Sequence, residues 1–326
     1  MITLALEGTA HTAGVGIITD QKEILADERH QYTTEHGGII PNMARKHHDE
    51  YFPTLIEKAL ANAKLTMRDI DFITYSGSPG LAPCLIATMH AAKKLGEEHN
   101  KPVIAVNHAI AHLSSGHLFN NITKPVYVYA AGANTQIICQ EGDYFRVFGE
   151  TLDTGIGNAL DKFGRLAGLG FPGGPKIEQL AQKGKYVELP YGVKGMDLVF
   201  SGIITHAINE HKKGAAIEDL CYSLQETLFA MMTEVVERAL AHTQRKEAVL
   251  IGGVGANKRL SAMLTKMCEE RGATFSVVPL KYAVDNPVMI GYQGILQYKA
   301  GKRQNINELD INPNERPDSV KITWTY

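Results

Sequence analysis

Nowhere do the 326 residues contain an uninterrupted apolar run approaching the ~20 residues of a membrane-crossing helix, so no membrane partner is expected. The opening Met1-Ile2-Thr3-Leu4-Ala5-Leu6-Glu7 also lacks the basic region of a secretory signal, and a cytoplasmic location is expected. Cysteine is sparse. Cys84, Cys139, Cys221 and Cys268 form no CxxC pair, which favours reduced core thiols over a disulfide frame or a zinc knuckle. A dominant charge sign is missing too: 33 basic residues face 35 acidic ones, with a net charge of −2 and a pI near 6.7. Strong electrostatic attraction of the whole molecule to nucleic acid is thereby excluded. Basic runs such as Arg45-Lys46, Lys93-Lys94, Lys212-Lys213 and Lys302-Arg303 are short and far apart. No low-complexity segment or long linker appears. What is present, 44% hydrophobic and 21% charged residues, describes a soluble globular chain long enough for two lobes with their own cores.

The apolar pattern predicts a β-meander over Ile2–Glu7, Ala13–Thr19 and Glu23–Gln31, broken by Gly-Thr and Asp-Gln turn signals. A helix is predicted over His47–Ala63, where Tyr51, Leu55, Ile56 and Leu60 share a stripe. A strand at Asp71–Tyr75, a helix reaching Lys94, a strand at Pro102–Val106 and a helix from His108 complete an α/β lobe. After Lys124-Pro125 the plan restarts with three strand-like runs, Val126–Ala130, Gln136–Gln140 and Tyr144–Gly149. A helix over Ser223–Ala241 and a strand over Ala248–Ile251 follow. Two three-stranded openings predict a duplicated architecture with lobes at 1–124 and 125–326. The C-terminal end is predicted to finish in a short β-like run, Val320–Trp324, and to pack back on the first lobe.

Within this frame, His108-Ala109-Ile110-Ala111-His112 places two imidazoles four apart on one helix face, where both can reach a single metal ion. Asp285, in Val284-Asp285-Asn286-Pro287, is the candidate third ligand. Two histidines and a carboxylate leave coordination positions open, as in non-haem iron and catalytic zinc sites. A zincin would need glutamate directly after its first histidine, and Ala109 stands there, so a peptidase lacks its base. His47, His48 and His117 read as surface or structural.

Two hairpin turns carry phosphate-binding character, Glu7-Gly8-Thr9-Ala10-His11-Thr12 and Ala131-Gly132-Ala133-Asn134-Thr135. Gly8, Thr9 and Asn134 are candidates to meet an anion from the two lobes. Gly252-Gly253-Val254-Gly255-Ala256-Asn257 follows a strand; it is not GxGxxG, yet its small residues admit a base or ribose. Phe171-Pro172-Gly173-Gly174-Pro175, with Glu178 and Asp161 nearby, is a further candidate contact to ribose hydroxyls. No separate general base is identifiable.

Together these segments resemble the universal tRNA threonylcarbamoyladenosine synthase family in its archaeal and eukaryotic branch, the catalytic subunit of KEOPS, formerly labelled O-sialoglycoprotein endopeptidase. The resemblance also rests on Gly37-Gly38-Ile39-Ile40-Pro41, Gly80-Leu81-Ala82-Pro83, Gly149-Glu150-Thr151-Leu152-Asp153, Lys194-Gly195-Met196-Asp197 and Phe200-Ser201-Gly202, so it covers nearly the whole chain. It implies the two-lobed, duplicated fold of actin, sugar kinases and heat-shock ATPases, an RNase H-like core in each lobe. It implies one iron or zinc ion on His108, His112 and Asp285. It places Tyr129, Ala130, Ala131, Gly132 and Ala133 against the acyl-phosphate of threonylcarbamoyl-AMP or an ATP-type ligand. Asp161, Gly174, Glu178 and Asn257 match the family's adenosine contacts. The implied reaction moves threonylcarbamoyl to the exocyclic amine of the adenosine beside the anticodon, position 37, of tRNAs reading A-starting codons. Implied partners are tRNA and KEOPS subunits, including a small kinase-like protein.

The sequence departs from the family pattern at three places. Ala131 and Ala133 replace a serine and a glycine, the usual arginine is missing around Leu85-Ile86, and Asp285-Asn286 is followed by Pro287. Two other functions compete: an ATP-dependent small-molecule kinase of the same fold, which gives no reason for the histidine pentad, and a non-catalytic assembly scaffold.

Overall fold

The computed structural model describes residues 1–34 and 38–326. Gly37, quoted above, lies outside the described residues. The chain forms two compact units, one of Met1–Leu118 with Asp285–Tyr326, the other of Phe119–Val284. The chain leaves the first unit six residues before Lys124-Pro125, and the C-terminal segment packs back on that unit from Asp285 onward. The cause is a long-range contact, since the last long helix covers the first sheet.

In the first unit, β1 (Ile2–Glu7), β2 (Thr12–Thr19) and β3 (Ile24–Gln31) form the meander, followed by α1 (Pro41–Ala63), β4 (Phe72–Ser78), α2 (Ala82–His99), β5 (Val103–Asn107) and α3 (His108–Phe119). The sheet order is β3-β2-β1-β4-β5, with β1–β2 and β2–β3 antiparallel and β1–β4 and β4–β5 parallel. Side chains alternate across β1. Leu4 and Leu6 join Phe52 and Leu55 of α1, whereas Ala5 joins Ala111 of α3 and two residues of the C-terminal helix. Helix α1 begins at Pro41 rather than near His47, because proline at the first helical position needs no N–H partner.

The second unit contains β6 (Val126–Ala130), β7 (Thr135–Glu141), β8 (Tyr144–Glu150), α4 (Ile156–Leu166), α5 (Gly173–Ala181), β9 (Val193–Lys194), β10 (Asp197–Leu198), α6 (Ser201–Lys212), α7 (Ile217–Thr243), β11 (Glu247–Ile251), α8 (Lys258–Glu270), β12 (Thr274–Val277) and α9 (Leu280–Ala283). Its main sheet runs β12-β11-β6-β7-β8. Renumbered from its own first strand, this is the order and strand polarity of the first sheet: an antiparallel meander, then two parallel strands beside the first. The duplication expected from the two openings is therefore present in topology, as an RNase H-like core in each unit. Val126, Val128 and Ala130 pack with Leu224, Leu228 and Val235 of α7 in one large core.

Three of the segments quoted for the resemblance interlock here. Asp153 accepts from the backbone N–H groups of Phe200 and Ser201, and Asp197 accepts from Glu150 N–H. Burial opposes its ionisation, but the donated N–H groups hold the Asp153 carboxyl below the usual carboxylate range. These residues join β8, β10 and α6.

The last long helix, α10 (Pro287–Lys299), returns to the first unit. Asn286 caps it by accepting from Met289 N–H at 2.9 Å, and Pro287 occupies its first position. The proline ring sits on β2, where a Cβ at Gly14 or Gly16 would meet it at 3.0 Å. The unusual Asp-Asn-Pro is thus a sound helix start, and it fixes Asp285 just outside the cap. Val320–Trp324 forms no strand: Ile322 and Trp324 are buried in alternation, but the segment finds no ladder partner among the described residues.

Candidate functional site

The metal candidate lies in the first unit. Asn107 ends β5, and its side chain accepts from Ile110 N–H at 3.1 Å, so α3 starts at His108. The rings of His108 and His112 meet edge to face, with centroids 4.6 Å apart. Asp285 Oδ1 lies 3.4 Å from His108 Nε2 and 3.3 Å from His112 Nε2. One donor atom from each of the three falls within 4.8 Å of the others, close enough to share one ion.

Sequence reasoning missed the residue that orients this group. Glu7, fully buried at the end of β1, accepts from His108 Nδ1 at 3.0 Å. Its other oxygen accepts from Thr9 N–H at 2.9 Å and Thr9 Oγ1 at 2.6 Å. With Nδ1 engaged, His108 presents Nε2 to Asp285, the outer-shell arrangement that metal-bound imidazoles require. The available signal was an acid closing an otherwise apolar strand.

Electrostatics agree with a cation site. Burial disfavours the His108 cation, yet Glu7 and Asp285 outweigh it and raise the group to about 10. His112 is lowered, chiefly by burial and also by the nearby His108 charge. Burial opposes ionisation of Asp285 as well, but the two histidines hold it well below the carboxylate range. The donor set therefore offers an ionised carboxylate, a neutral imidazole and one proton that a metal can displace, which fits a divalent ion.

The first phosphate-turn candidates face inward. Gly8 N–H donates to Ser76 Oγ at 3.0 Å, and both Thr9 donors go to Glu7. In this structure Thr9 supports Glu7, the partner of the candidate ligand His108, and Gly8 is tied to Ser76. His48 and His117 are buried, as structural residues should be.

The second unit has its own cavity, about 220 Å³, lined by Gly132, Asp161, Gly174, Glu178, Gly253 and Asn257 among others. Four residues matched to an adenosine, from α4, α5 and the start of α8, thus come together. Each polar one also has a structural duty. Asp161 accepts from Gly173 N–H at the start of α5 (2.7 Å), and Glu178 accepts from Lys258 N–H at the start of α8 (2.8 Å). Asn257 caps α8, accepting from Arg259 and Leu260 N–H, and donates to Gln225 Oε1. Gly252 holds φ at +99°, where a Cβ would meet the Ala130 carbonyl at 2.3 Å, so only glycine allows this turn beside β6.

Tyr129 and Ala130 are buried on β6, and Gly132, Ala133 and Asn134 form an exposed turn. Ala131 N–H donates to the Asn134 carbonyl, and the Ala131 and Gly132 carbonyls accept from Gly157 and Asn158 at the start of α4. Of this turn, Gly132 reaches the cavity lining.

The sheet order and strand directions define the duplicated α/β fold of the actin-like ATPases. A solved structure of HypF from T. kodakarensis matches 92% of this chain and 48% of its own at a TM-score of 0.63, with 16% identity, a likeness of fold alone. The sequence narrows the class. Residues 23–292 match the TsaD family, tRNA N6-adenosine threonylcarbamoyltransferase, and the chain belongs to that family of transferases. The tRNA N6-adenosine threonylcarbamoyltransferase of Thermococcus sibiricus is 52% identical over 99% of this chain and 100% of its own. A probable bifunctional tRNA threonylcarbamoyladenosine biosynthesis protein of Methanobrevibacter smithii is 47% identical, and the match spans 99% of this chain but 60% of that protein.

Proposed function

We propose that this chain transfers a threonylcarbamoyl group from threonylcarbamoyl-AMP to N6 of adenosine 37 in tRNAs that read A-starting codons. The observation that carries the reading is the convergence of Asp161, Gly174, Glu178 and Asn257 on one cavity, in a chain that belongs to this family. The cavity would take the adenosine of the donor. Its glycines allow a flat base to approach the backbone, and the free carboxylate oxygens of Asp161 and Glu178 can accept from ribose hydroxyls.

His108, His112 and Asp285 would hold one iron or zinc ion, which when bound supplies a positive charge able to polarise carbamoyl or phosphate oxygens. Glu7 keeps His108 in the ligating orientation. In the reaction the N6 amine attacks the carbamoyl carbon, the carbon–oxygen bond to AMP breaks, and N6 loses a proton. No side chain is assigned to that proton, and held orientation of donor and amine accounts for much of the acceleration. Tyr129 through Ala133, with Asn134, would lie against the phosphate end of the donor.

The balance of 33 basic against 35 acidic residues supports partner dependence, because tRNA binding rests on neutralising several phosphates. We assign that role to KEOPS subunits, including a small kinase-like protein. Cytoplasmic tRNA is the expected substrate pool, and among the described residues no helix is long and apolar enough to cross a membrane. The test is mass spectrometry of tRNA nucleosides after incubation with threonylcarbamoyl-AMP, with the chain alone and with those subunits. Modified adenosine is expected with the subunits and little without them at physiological salt. Absence of the product in the complete mixture would sink the transferase reading; full turnover with salt-sensitive tRNA binding by the chain alone would sink partner dependence.

A further inference from the structure

Strand β5 is an edge strand of the first sheet, and its outer backbone groups are met by side chains from the C-terminal segment. Ala105 N–H donates to Gln304 Oε1 at 2.6 Å, and Lys302 Nζ donates to the Ala105 carbonyl at 2.8 Å. The same segment is tied to β4, with Tyr75 Oη donating to the Asp310 carbonyl and Asn312 N–H to the Gly77 carbonyl. A cavity of about 360 Å³ remains beneath it, and neither metal ligands nor Glu7 line it.

The lining of this half-open cavity is largely polar, and its groups are only partly used. Gln297 is 4% exposed; its Oε1 accepts from Lys302 at 3.4 Å, but its Nε2 has no hydrogen-bond partner among the described residues. Glu315 uses Oε2 to accept from Ser78 Oγ (2.5 Å) and Asn107 Nδ2 (3.0 Å), which leaves Oε1. Lys302 retains one N–H beyond its two bonds, and burial lowers it from the usual lysine range while Glu315 opposes that shift.

We propose that this cavity binds a free α-amino acid as its zwitterion, the carboxylate against Lys302 Nζ and Gln297 Nε2 and the ammonium against Glu315 Oε1. A simple anion would meet the Glu315 and Asp310 carboxylates, and a simple cation would meet Lys302. A ligand carrying both charges a short distance apart meets each with its opposite, which offsets the cost of enclosing them. The volume lies within the range of small-molecule sites. Occupancy would also be felt at the metal helix. Glu315 holds Asn107, and Asn107 caps α3 immediately before His108.

The test uses the full chain, with calorimetry and thermal melting against the twenty common amino acids at millimolar concentration. One molecule per chain should bind for at least one small amino acid. Its analogue lacking the amine and its analogue lacking the carboxylate should each bind at least about tenfold more weakly. Lys302→Met should weaken binding by about the same factor. Because that substitution also removes the cover of Ala105, Asn312→Trp serves as the second variant: Asn312 is exposed at the rim, and its backbone bond to Gly77 survives while the ring blocks entry. The proposal is overturned if no amino acid binds saturably, if one charged half of the ligand suffices, or if Asn312→Trp binds like the parent.

Discussion

The two units share one topology, yet their equivalent first turns have opposite fates. After β1, Glu7 and Thr9 turn inward, bury, and hold His108. After β6, Gly132, Ala133 and Asn134 stay exposed, and the carbonyls of Ala131 and Gly132 brace the start of α4. One fold position thus serves two chemistries: a charged buttress in the first unit and a bare glycine-containing ledge in the second. The lesson is that a turn read as phosphate-binding from its glycine and hydroxyls carries that role only if its donors remain uncommitted. In the first turn they are spent on Glu7 and Ser76.

The largest effect that would break this comparison is expected at the candidate metal site. The His108→Ala, His112→Ala double variant should retain no stoichiometric iron or zinc by elemental analysis while circular dichroism stays unchanged, since an open site serves chemistry more than stability. Metal kept at one equivalent would remove the buttress argument along with the ligand assignment. Glu7→Gln comes next, because it keeps the side-chain size but disturbs the bond to His108 Nδ1. Metal affinity should fall by about 10–100-fold in chelator competition, and an unchanged value would mean the buttress is only packing.

Acidity sharpens the same contrast. His108 is raised to about 10, so the protonated ring's contacts with Glu7 and Asp285 stabilise the metal-free fold fully below the ordinary histidine value and are lost as pH rises through about 10. A metal competes for that proton. Its affinity should therefore rise by about tenfold per pH unit on the acid side of that value, with about one proton released per ion. Calorimetry in buffers of different ionisation enthalpy measures that proton directly, and no release would contradict the charged ring. Asp285, held low, contributes only above the usual carboxylate range and adds no further slope near neutrality.

Much of this was legible in sequence and some was not, for a physical reason. Periodicity and turn residues located most of the strands, and helical spacing found His108 and His112, because these are local properties. Glu7 was missed as a buttress because its partner is 101 residues away. Asp153, Asp197 and Ser201 enter the sequence reading only as parts of segments that carry the resemblance, and their hydrogen bonds show what they hold. The return of α10 to the first sheet likewise has no local signature. Asp285 was readable as a candidate third ligand, while the Pro287 seat on Gly14 and Gly16 that fixes its position was visible only in three dimensions.

In the second unit the effects are smaller and mixed with stability. Asn257→Ala removes the α8 cap and the bond to Gln225, so about 1 kcal/mol of stability should go with the cap. Combined with Glu178→Ala, affinity for an ATP-type ligand should fall by ~1–3 kcal/mol in calorimetry. Asn257→Asp separates the two effects, because it keeps the capping acceptor and loses only the amide donor. If Asn257→Asp and Glu178→Gln both melt like the parent and the paired variant still binds unchanged, the adenosine end does not rest on these side chains.

The smallest effect is the most direct probe of the exposed ledge. Ala131 stands where the resembling family carries serine, and its N–H and carbonyl are already committed to Asn134 and Gly157. Ala131→Ser therefore adds one hydroxyl without disturbing the turn, and melting should move by no more than the ~0.5 kcal/mol typical of surface changes. If this turn meets the phosphate end of the donor, the hydroxyl should tighten a nucleotide by about 0.5–1.5 kcal/mol, the worth of one hydrogen bond. The matched control is Thr9→Val in the first unit, whose hydroxyl goes to Glu7 and not to solvent. It should change metal affinity and leave nucleotide affinity alone. If instead Thr9→Val weakens nucleotide and Ala131→Ser does nothing, the two turns have been assigned the wrong way round.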